Sequence, residues 1–338
     1  MSTAPTFYVV SGSAARRAIE SNRDRVFKAV ETAYRLHASG NAINPDSYFL
    51  RYPDRPNSRI IALPAHLAGS IQKSGIKWIS SFPDNTAGNL ARASAVLILN
   101  DGATGYPIAC IEAALISSTR TAASAALAAE RLSPNPFTGT IGVIGTGVIA
   151  RATIEWLMYR EWKFSKVNLF DLDRSGSEQF SAWLRDRYDL DVDIHDDLES
   201  AVVDSSVVLF TTTALAPYVD DPKLFDHNPT VLHLSLRDIC PNVILDAQNV
   251  VDDVDHSLKA QTSVHLAEME TGSRDFIAGT LVDLLENNFD LDFDRPRIFS
   301  PFGLGVLDIA VGDFVLEAAV ESGEAIAFND FFSNSTRW

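Results

Sequence analysis

Near the start of the chain, apolar residues recur with helical spacing. Between Asn22 and Ala38, residues Val26, Phe27, Val30, Ala33 and Tyr34 share one stripe, and Gly40 follows as a stop. The spacing predicts an amphipathic helix. The pattern then changes to short runs of strand character: Tyr48 to Arg51, Arg59 to Leu63, Gly75 to Phe82, Ser94 to Leu99, and Tyr106 to Ile111. Asp101-Gly102, between the last two, is a hairpin signal with a slightly long loop. A further helix is predicted from about Ser118, running through the alanine-rich Ala122 to Glu130. The first part therefore reads as helix, then mostly antiparallel sheet, then helix.

Ser133-Pro134-Asn135-Pro136 punctuates the chain. Beyond it, strand and helix patterns alternate. Strand candidates are Thr140–Ile144, Lys166–Phe170, Val192–His195, Val207–Phe210, Val231–Leu236 and Val250–Val251. Such alternation is the signature of a doubly wound parallel sheet. A last helix is predicted over Gly305 to Glu321, after this unit. The expected fold class is α/β: a Rossmann-type parallel sheet joined to an α+β domain. The expected boundaries are residues 1–133 for the first domain and 134–304 for the second, with 305–330 packing back on the first.

Composition narrows the function classes. Of 338 residues, 46% are hydrophobic and 21% charged, which allows a sizeable core. No apolar run reaches the roughly 18 residues that span a bilayer. The leader MSTAPTFYVV has no basic stretch followed by an apolar one, so no secretion signal is expected. Two cysteines, Cys110 and Cys240, exclude a disulfide framework and fit a reducing, cytoplasmic setting. The formal charge of −16 repels phosphate backbones and argues against nucleic-acid partners. An anionic small molecule would need a local basic pocket set against that field.

The stretch GTIGVIGTGVIARATIEWL supplies candidate chemistry. Gly145-x-Gly147-x-x-Ala150 follows a strand pattern and opens a helical one. In a dinucleotide fingerprint the first glycine permits the tight turn and the second lets backbone approach a pyrophosphate. A small third residue lets helix and strand pack closely. The helix start then offers N–H groups to the phosphates. The next strand ends at Asp171, 24 residues after Gly147, where a carboxylate can accept ribose hydroxyls and repel a 2′-phosphate. That favours NAD over NADP, against a small counterweight from Arg174. The plain alternative is an ordinary glycine turn.

Cations stand where a sheet should be apolar. Lys77 lies inside GIKWISSF, so it should face a carboxylate or a ligand, unless it is a rim lysine whose stem packs on Trp78. Arg120, in SSTRTAAS, sits near a predicted helix start, where the dipole disfavours a cation. A bound carboxylate or Glu112 would offset that. Arg92 again abuts a strand. Together the three point to an anion pocket, with surface salt bridges as the alternative. Asp238 and Thr211-Thr212-Thr213 follow strands whose carboxyl ends face ligands in open parallel sheets, though Asp238 also suits a turn before Pro241. His233 reads as a packed core histidine. Asp252-Asp253-x-Asp255-His256 reads as a solvated turn with a helix cap, and no metal is expected.

Several segments together resemble the ornithine cyclodeaminase/mu-crystallin family. They are IIALPA, GIKWISSFPDN, RASAVLILNDGATGYPIACIEA, RTAAS, GTGVIA and SPFGLGVLDIA. The resemblance covers essentially the whole chain. It implies a Rossmann domain joined to a substrate domain that dimerises by pairing its sheets, and hydride transfer to NAD from an amino-acid α-carbon. Lys77 and Asp238 fall on the family's lysine and catalytic aspartate, and Arg120 on its arginine. Lys77, Arg92 and Arg120 are then the expected carboxylate clamp. A further family arginine, ahead of IIALPA, has no clean counterpart; Ser47 or Arg51 lies there, and Arg51 is kept as a candidate. The cofactor contacts expected are Gly145, Gly147, Val148, Ile149, Asp171, Thr121, Thr212 and Ser235.

Within the family, FPDN after KWISS, Arg92 and RDICPN are similar to a narrower branch. That branch oxidises N-(2-amino-2-carboxyethyl)-L-glutamate, releasing 2-oxoglutarate and L-2,3-diaminopropionate for siderophore or peptide-antibiotic assembly. A pyridoxal-phosphate-dependent synthase is the implied upstream partner. The family's lysine after the catalytic aspartate is replaced near Val243, which counts against ornithine. Alternatives are a cyclodeaminase, an alanine-type dehydrogenase or a ketimine reductase of the same family. A non-catalytic dinucleotide- or ligand-binding protein is the alternative of another class.

Overall fold

Two stretches of the chain, Met1–Arg120 and Leu304–Trp338, gather into one compact unit, and Thr121–Gly303 forms a second. The computed structural model describes residues 5–333, so part of the leader lies outside the described residues. The division falls between Arg120 and Thr121, inside the helix Ala114–Leu132, and not at the Ser133–Pro136 punctuation.

Unit 1 is built on an eight-stranded, mostly antiparallel sheet. Its strands are β1 (Phe7–Val10), β2 (Ala42–Ile43), β3 (Tyr48–Tyr52), β4 (Arg55–Leu67), β5 (Lys73–Ser81), β6 (Ala93–Asp101), β7 (Pro107–Glu112) and a last strand, Ile326–Phe328. The order is last strand–β1–β7–β6–β5–β4–β2, with β3 also paired to β4. Only β1 and β7 run parallel. The helix Arg23–Ala38 buries Val26, Phe27, Val30, Ala33 and Tyr34, the stripe its spacing predicts. The closing helix, Gly305–Glu321, packs against that helix and across β4, β5 and β6. It approaches closely because Gly312 has no side chain: a Cβ there would meet Leu97 Cδ2 at 2.1 Å.

Strand alternation sorts β5 onto two faces. Gly75, Lys77 and Ile79 share the face toward the closing helix, where Gly75 meets Ile309. Trp78 points the other way. There Tyr48, Ala62, Trp78 and Val96 align across β3, β4, β5 and β6, with Tyr48, Trp78 and Val96 exposed.

Unit 2 is an eight-stranded parallel sheet. Its strands are β8 (Thr138–Ile144), β9 (Lys163–Phe170), β10 (Val192–Ile194), β11 (Val207–Phe210), β12 (Thr230–His233), β13 (Gln248–Val251), β14 (Ile277–Thr280) and β15 (Arg297–Ser300), in the order β10-β9-β8-β11-β12-β15-β13-β14. The order reverses between β8 and β11, which is the switch point of a Rossmann-type sheet. Phe210, Val231, Ile244 and Ile298 sit in its buried core. Among the described residues no helix is long and apolar enough to cross a membrane.

Two expectations on element boundaries need correction. The helix predicted from about Ser118 starts at Ala114, because Glu112 Oε1 accepts the Ala114 N–H at 2.8 Å and caps it early. The strand predicted over Val231–Leu236 stops at His233, and Leu236 turns into the left-handed region at φ +74°. Short elements without clear periodicity were not anticipated, including β1, the helix Gly12–Glu20, β14 and β15.

Candidate functional site

In unit 1 the site is assembled from β5, the helix Ala114–Leu132 and the closing helix. Lys77 is 1% exposed, and its Nζ lies 2.7 Å from Asp308 Oδ2 on the closing helix. It also donates to Ser117 Oγ at 3.0 Å. Arg120 Nε is 3.4 Å from Asp308 Oδ1. Gly312 follows Asp308 by one helical turn and rests on Leu97, the cross-strand partner of Lys77, so the close approach at Gly312 brings the acid to the lysine. Burial pulls the Lys77 pKa from 10.5 down to about 8, partly opposed by Asp308 and reinforced by Arg120. Lys77 thus faces a carboxylate and is no rim lysine on Trp78.

Arg120 is not at a helix start: it lies in the second turn of Ala114–Leu132, where the dipole argument does not apply. Its carboxylate is Asp308, while Glu112 caps the helix. Thr121 follows it in the helix and is half-buried. Arg92 is exposed and donates to Ser81 Oγ at 3.2 Å. Arg51 is exposed on β3, with its guanidinium 5.0 Å from the centre of the Phe49 ring.

In unit 2, β8 runs into the glycine turn. Gly145 has φ +89°, and a Cβ there would come within 2.9 Å of the Thr211 backbone beyond β11, so only glycine suits the position. A Cβ on Gly147 would enter open space. Gly147 caps the helix Val148–Tyr159 without a side-chain acceptor for its first N–H groups. Val148 is exposed beside it and Ile149 is half-buried. A bare helix start behind an open glycine fits a pyrophosphate. Asp171 follows β9. Its Oδ2 accepts the Thr146 N–H at 2.7 Å and the Thr146 hydroxyl at 2.9 Å, which ties the acid to the glycine turn. Arg174 pairs with Asp196 at 2.6 Å, so its charge is already answered by a carboxylate.

Asp238 is fully buried in unit 2 and is surrounded by donors. The hydroxyls of Thr212 and Ser235 bond to its two carboxylate oxygens. Tyr218 Oη donates to Oδ1 at 3.0 Å, and His233 Nε2 lies 3.1 Å from Oδ2. His233 Nδ1 in turn meets Ser300 Oγ at 3.1 Å on β15. Burial pushes the Asp238 carboxyl upward, but the contact with His233 and the Ser235 and Thr212 hydroxyls outweigh it, leaving the pKa below the usual value. Asp238 is therefore ionised at neutral pH. Burial, and then the Asp238 charge, raise the Tyr218 hydroxyl, which stays protonated and acts as a donor.

The structure groups the predicted residues into two sets. Lys77 and Arg120 meet at Asp308 in unit 1; Thr212 and Ser235 meet at Asp238 in unit 2, and Gly145, Gly147 and Asp171 form one turn there. Sequence reasoning missed Asp308, whose signal was an acid inside the apolar run GVLDIAVG. It also missed Tyr218, for which the sequence carries no signal. His233 is the buried histidine expected, but it belongs to the Asp238 cluster. Asp253 caps the helix Val254–Ser257, and Asp252 accepts the N–H groups of Phe302 and Gly303, so that acidic run is occupied by backbone.

Residues 12–225 match the sequence profile of the ornithine cyclodeaminase/mu-crystallin family. The chain is 29% identical to the N-((2S)-2-amino-2-carboxyethyl)-L-glutamate dehydrogenase of Staphylococcus aureus, over 91% of this chain and 94% of that one. It is 28% identical to the alanine dehydrogenase of Archaeoglobus fulgidus, over 90% and 94%. The solved structure of an archaeal alanine dehydrogenase dimer with bound NAD superposes with a TM-score of 0.85 at 24% identity, covering 97% of this chain and all of that one. That likeness bears on the fold. With the profile spanning well over half of its length, the chain belongs to the ornithine cyclodeaminase/mu-crystallin family.

Proposed function

We propose that this protein is an NAD-dependent oxidoreductase acting on a CH–NH bond, and that its substrate is N-(2-amino-2-carboxyethyl)-L-glutamate. The products are 2-oxoglutarate and L-2,3-diaminopropionate. The observation that carries the reading is the buried pair of cations, Lys77 and Arg120, meeting at the single carboxylate of Asp308. Two buried cations gathered at one point are the groups that a substrate carboxylate would join. Similarity to the Staphylococcus aureus dehydrogenase supports the choice of substrate. Related alanine dehydrogenases keep the simpler amino-acid substrates in play.

In this reading, the glycine turn Gly145–Ile149 holds the pyrophosphate, and Asp171 holds the ribose, with Thr121, Thr212 and Ser235 as further contacts. The engagement of Arg174 by Asp196 supports NAD over NADP. NAD supplies the hydride acceptor. Lys77, Arg120, Arg92 and Arg51 bind carboxylates and orient the substrate, and orientation supplies much of the rate. Oxidation of the glutamate-side Cα–N bond gives an imine, and water cleaves it. Asp238 takes the proton released by the substrate amine or the attacking water, through the Thr212, Ser235 or Tyr218 hydroxyls, with Lys77 the other proton-handling group. The exposed row of Tyr48, Trp78 and Val96 supports a homodimer formed through that face of the sheet. The products place the enzyme after a synthase that joins a three-carbon amino acid to glutamate, in cytoplasmic assembly of a siderophore or peptide antibiotic.

The test is NADH formation with the tricarboxylate, ornithine, alanine and glutamate in parallel. Reduction of NAD by the tricarboxylate alone, with both products accumulating, is expected. Use of ornithine or alanine in its place refutes the substrate.

A further inference from the structure

A carboxylate already occupies the helix start that follows Asp171. The helix Arg174–Tyr188 is capped by Asp173, whose Oδ1 accepts the Ser175 N–H at 3.1 Å and the Ser175 hydroxyl at 2.7 Å. The bonds from Ser175 hold the Asp173 carboxyl below its ordinary value, so it is charged at neutral pH. Asp173 is also wired to Asp171: its N–H donates to Asp171 Oδ1 at 2.9 Å. Asp171 Oδ2 is taken by Thr146, through both its N–H and its hydroxyl. A carboxylate offers about four lone-pair sites, so the one left for a ribose hydroxyl lies on Oδ1, beside Asp173. The helix start is pressed against the glycine turn as well. A Cβ on Gly176 would lie 3.2 Å from Thr146 Oγ1 and 3.4 Å from Asp173 Oδ2. Arg174, the cation of this turn, meets Asp196 at 2.6 Å and Glu178 at 3.7 Å.

We propose that Asp173 is a second specificity-determining residue for the nucleotide: it fills the place a 2′-phosphate would take and turns NADP away. The proposal rests on the reading that Asp171 holds the ribose. A phosphate on that ribose seeks N–H groups at a helix start, hydroxyls and a cation. All three stand here, in the Ser175 N–H, the Ser175 hydroxyl and Arg174, and each is engaged by a carboxylate of the chain itself. Asp171 discriminates by accepting a hydroxyl that NADP lacks. Asp173 discriminates by occupying donors and by adding charge. Asp171→Ala therefore narrows the preference by weakening NAD, and a change at Asp173 is needed to strengthen NADP.

The experiment titrates NAD and NADP calorimetrically into wild type, Asp173→Asn and Asp173→Gly. Asparagine keeps an acceptor for Ser175 and removes only the charge. Glycine removes the charge and frees both Ser175 donors, while remaining an acceptable helix cap. Asp173→Asn is expected to tighten NADP about threefold, an effect that shrinks as salt is raised. Asp173→Gly is expected to tighten NADP about thirtyfold, since a hydrogen bond to a charged group is worth roughly tenfold or more. NAD affinity should stay within about twofold of wild type in both. Adding Ser175→Ala to Asp173→Gly should take back about tenfold of the gain, because the hydroxyl is then missing. Thermal melts establish that the variants fold. Unchanged NADP affinity in both Asp173 variants, or a gain shared equally by NAD, overturns the role of Asp173 and leaves that of Asp171 standing. An Asp171→Ala protein with an unaltered NAD to NADP ratio overturns the ribose reading and the role of Asp173 with it.

Discussion

Lys77 Nζ sits 2.7 Å from Asp308 Oδ2, and neither side chain reaches water. Arg120 shares the same acid. Removing one partner of such a cluster leaves charge stranded in a medium that solvates it poorly. Asp308→Asn should therefore cost about 3–5 kcal/mol of stability. The double change Lys77→Met with Asp308→Leu should recover the part of that loss owed to Lys77, leave the part owed to Arg120, and abolish activity. Urea unfolding of the three proteins checks this; an Asp308→Asn protein as stable as wild type refutes the buried ion pair.

The depressed Lys77 pKa has two consequences with pH. In the folded chain the proton leaves at about 8, whereas in the unfolded chain it stays until about 10.5. Between these values the unfolded state binds more protons, so this group makes stability rise with pH across the window. The urea midpoint of wild type, relative to Lys77→Met, should climb between pH 8 and pH 10. Substrate binding should behave oppositely, because the ammonium that attracts a carboxylate is lost as pH passes about 8. KM should rise on that limb, and Lys77→Arg should move the limb upward.

Asp238→Asn should leave NAD affinity nearly unchanged and remove turnover. Thr212, Ser235 and Tyr218 all donate to the native carboxylate; the amide keeps an acceptor oxygen for them and loses the charge that takes a proton. Isothermal titration with NAD, alongside steady-state rates, separates binding from chemistry. Retained turnover would remove Asp238 from the mechanism.

Asp171→Ala should weaken NAD and narrow its preference over NADP by about tenfold or more. The same change frees Thr146, which Asp171 now anchors. Thr146→Val, which removes only the hydroxyl partner, should loosen both nucleotides alike. An unaltered NAD to NADP ratio in Asp171→Ala counts against ribose recognition.

Gly145→Ala places a Cβ at φ +89° and within 2.9 Å of the Thr211 backbone. The strain should cost about 1–3 kcal/mol and lower NAD affinity. Gly147→Ala meets no neighbouring atoms in the protein itself, so its effect should fall on nucleotide binding and leave the melting temperature nearly unchanged. Equal melting shifts for the two variants would contradict the geometry.

Periodicity carried much of this fold. The stripe from Val26 to Tyr34 is buried as its spacing requires, and the apolar runs at β8, β9 and β11 became parallel strands. Local pattern failed where tertiary contacts decide. The alternation of VLHLSLRD continues beyond His233, yet the strand stops there, and Ser235 and His233 turn instead onto Asp238. Arg120 read as a cation near a helix start because the capping by Glu112 is not visible in sequence. Asp308 stood in plain view as an acid in an apolar run, but its partner is more than two hundred residues away in the chain. Such pairings become legible only once the sheet and the closing helix are in place.

The alternation on β5 also makes the strand intolerant of misregistration. A slip of a single residue would carry Trp78 onto the face that meets Asp308 and put the Lys77 ammonium among Tyr48 and Val96. That arrangement would take from Asp308 its nearer cation, leaving Arg120, and forfeit the helix contact at Gly75. The same charge that binds a substrate carboxylate in the proposed reaction thus serves the chain earlier, as a proofreading mark that lets the nascent sheet discriminate its native pairing from its nearest competitor.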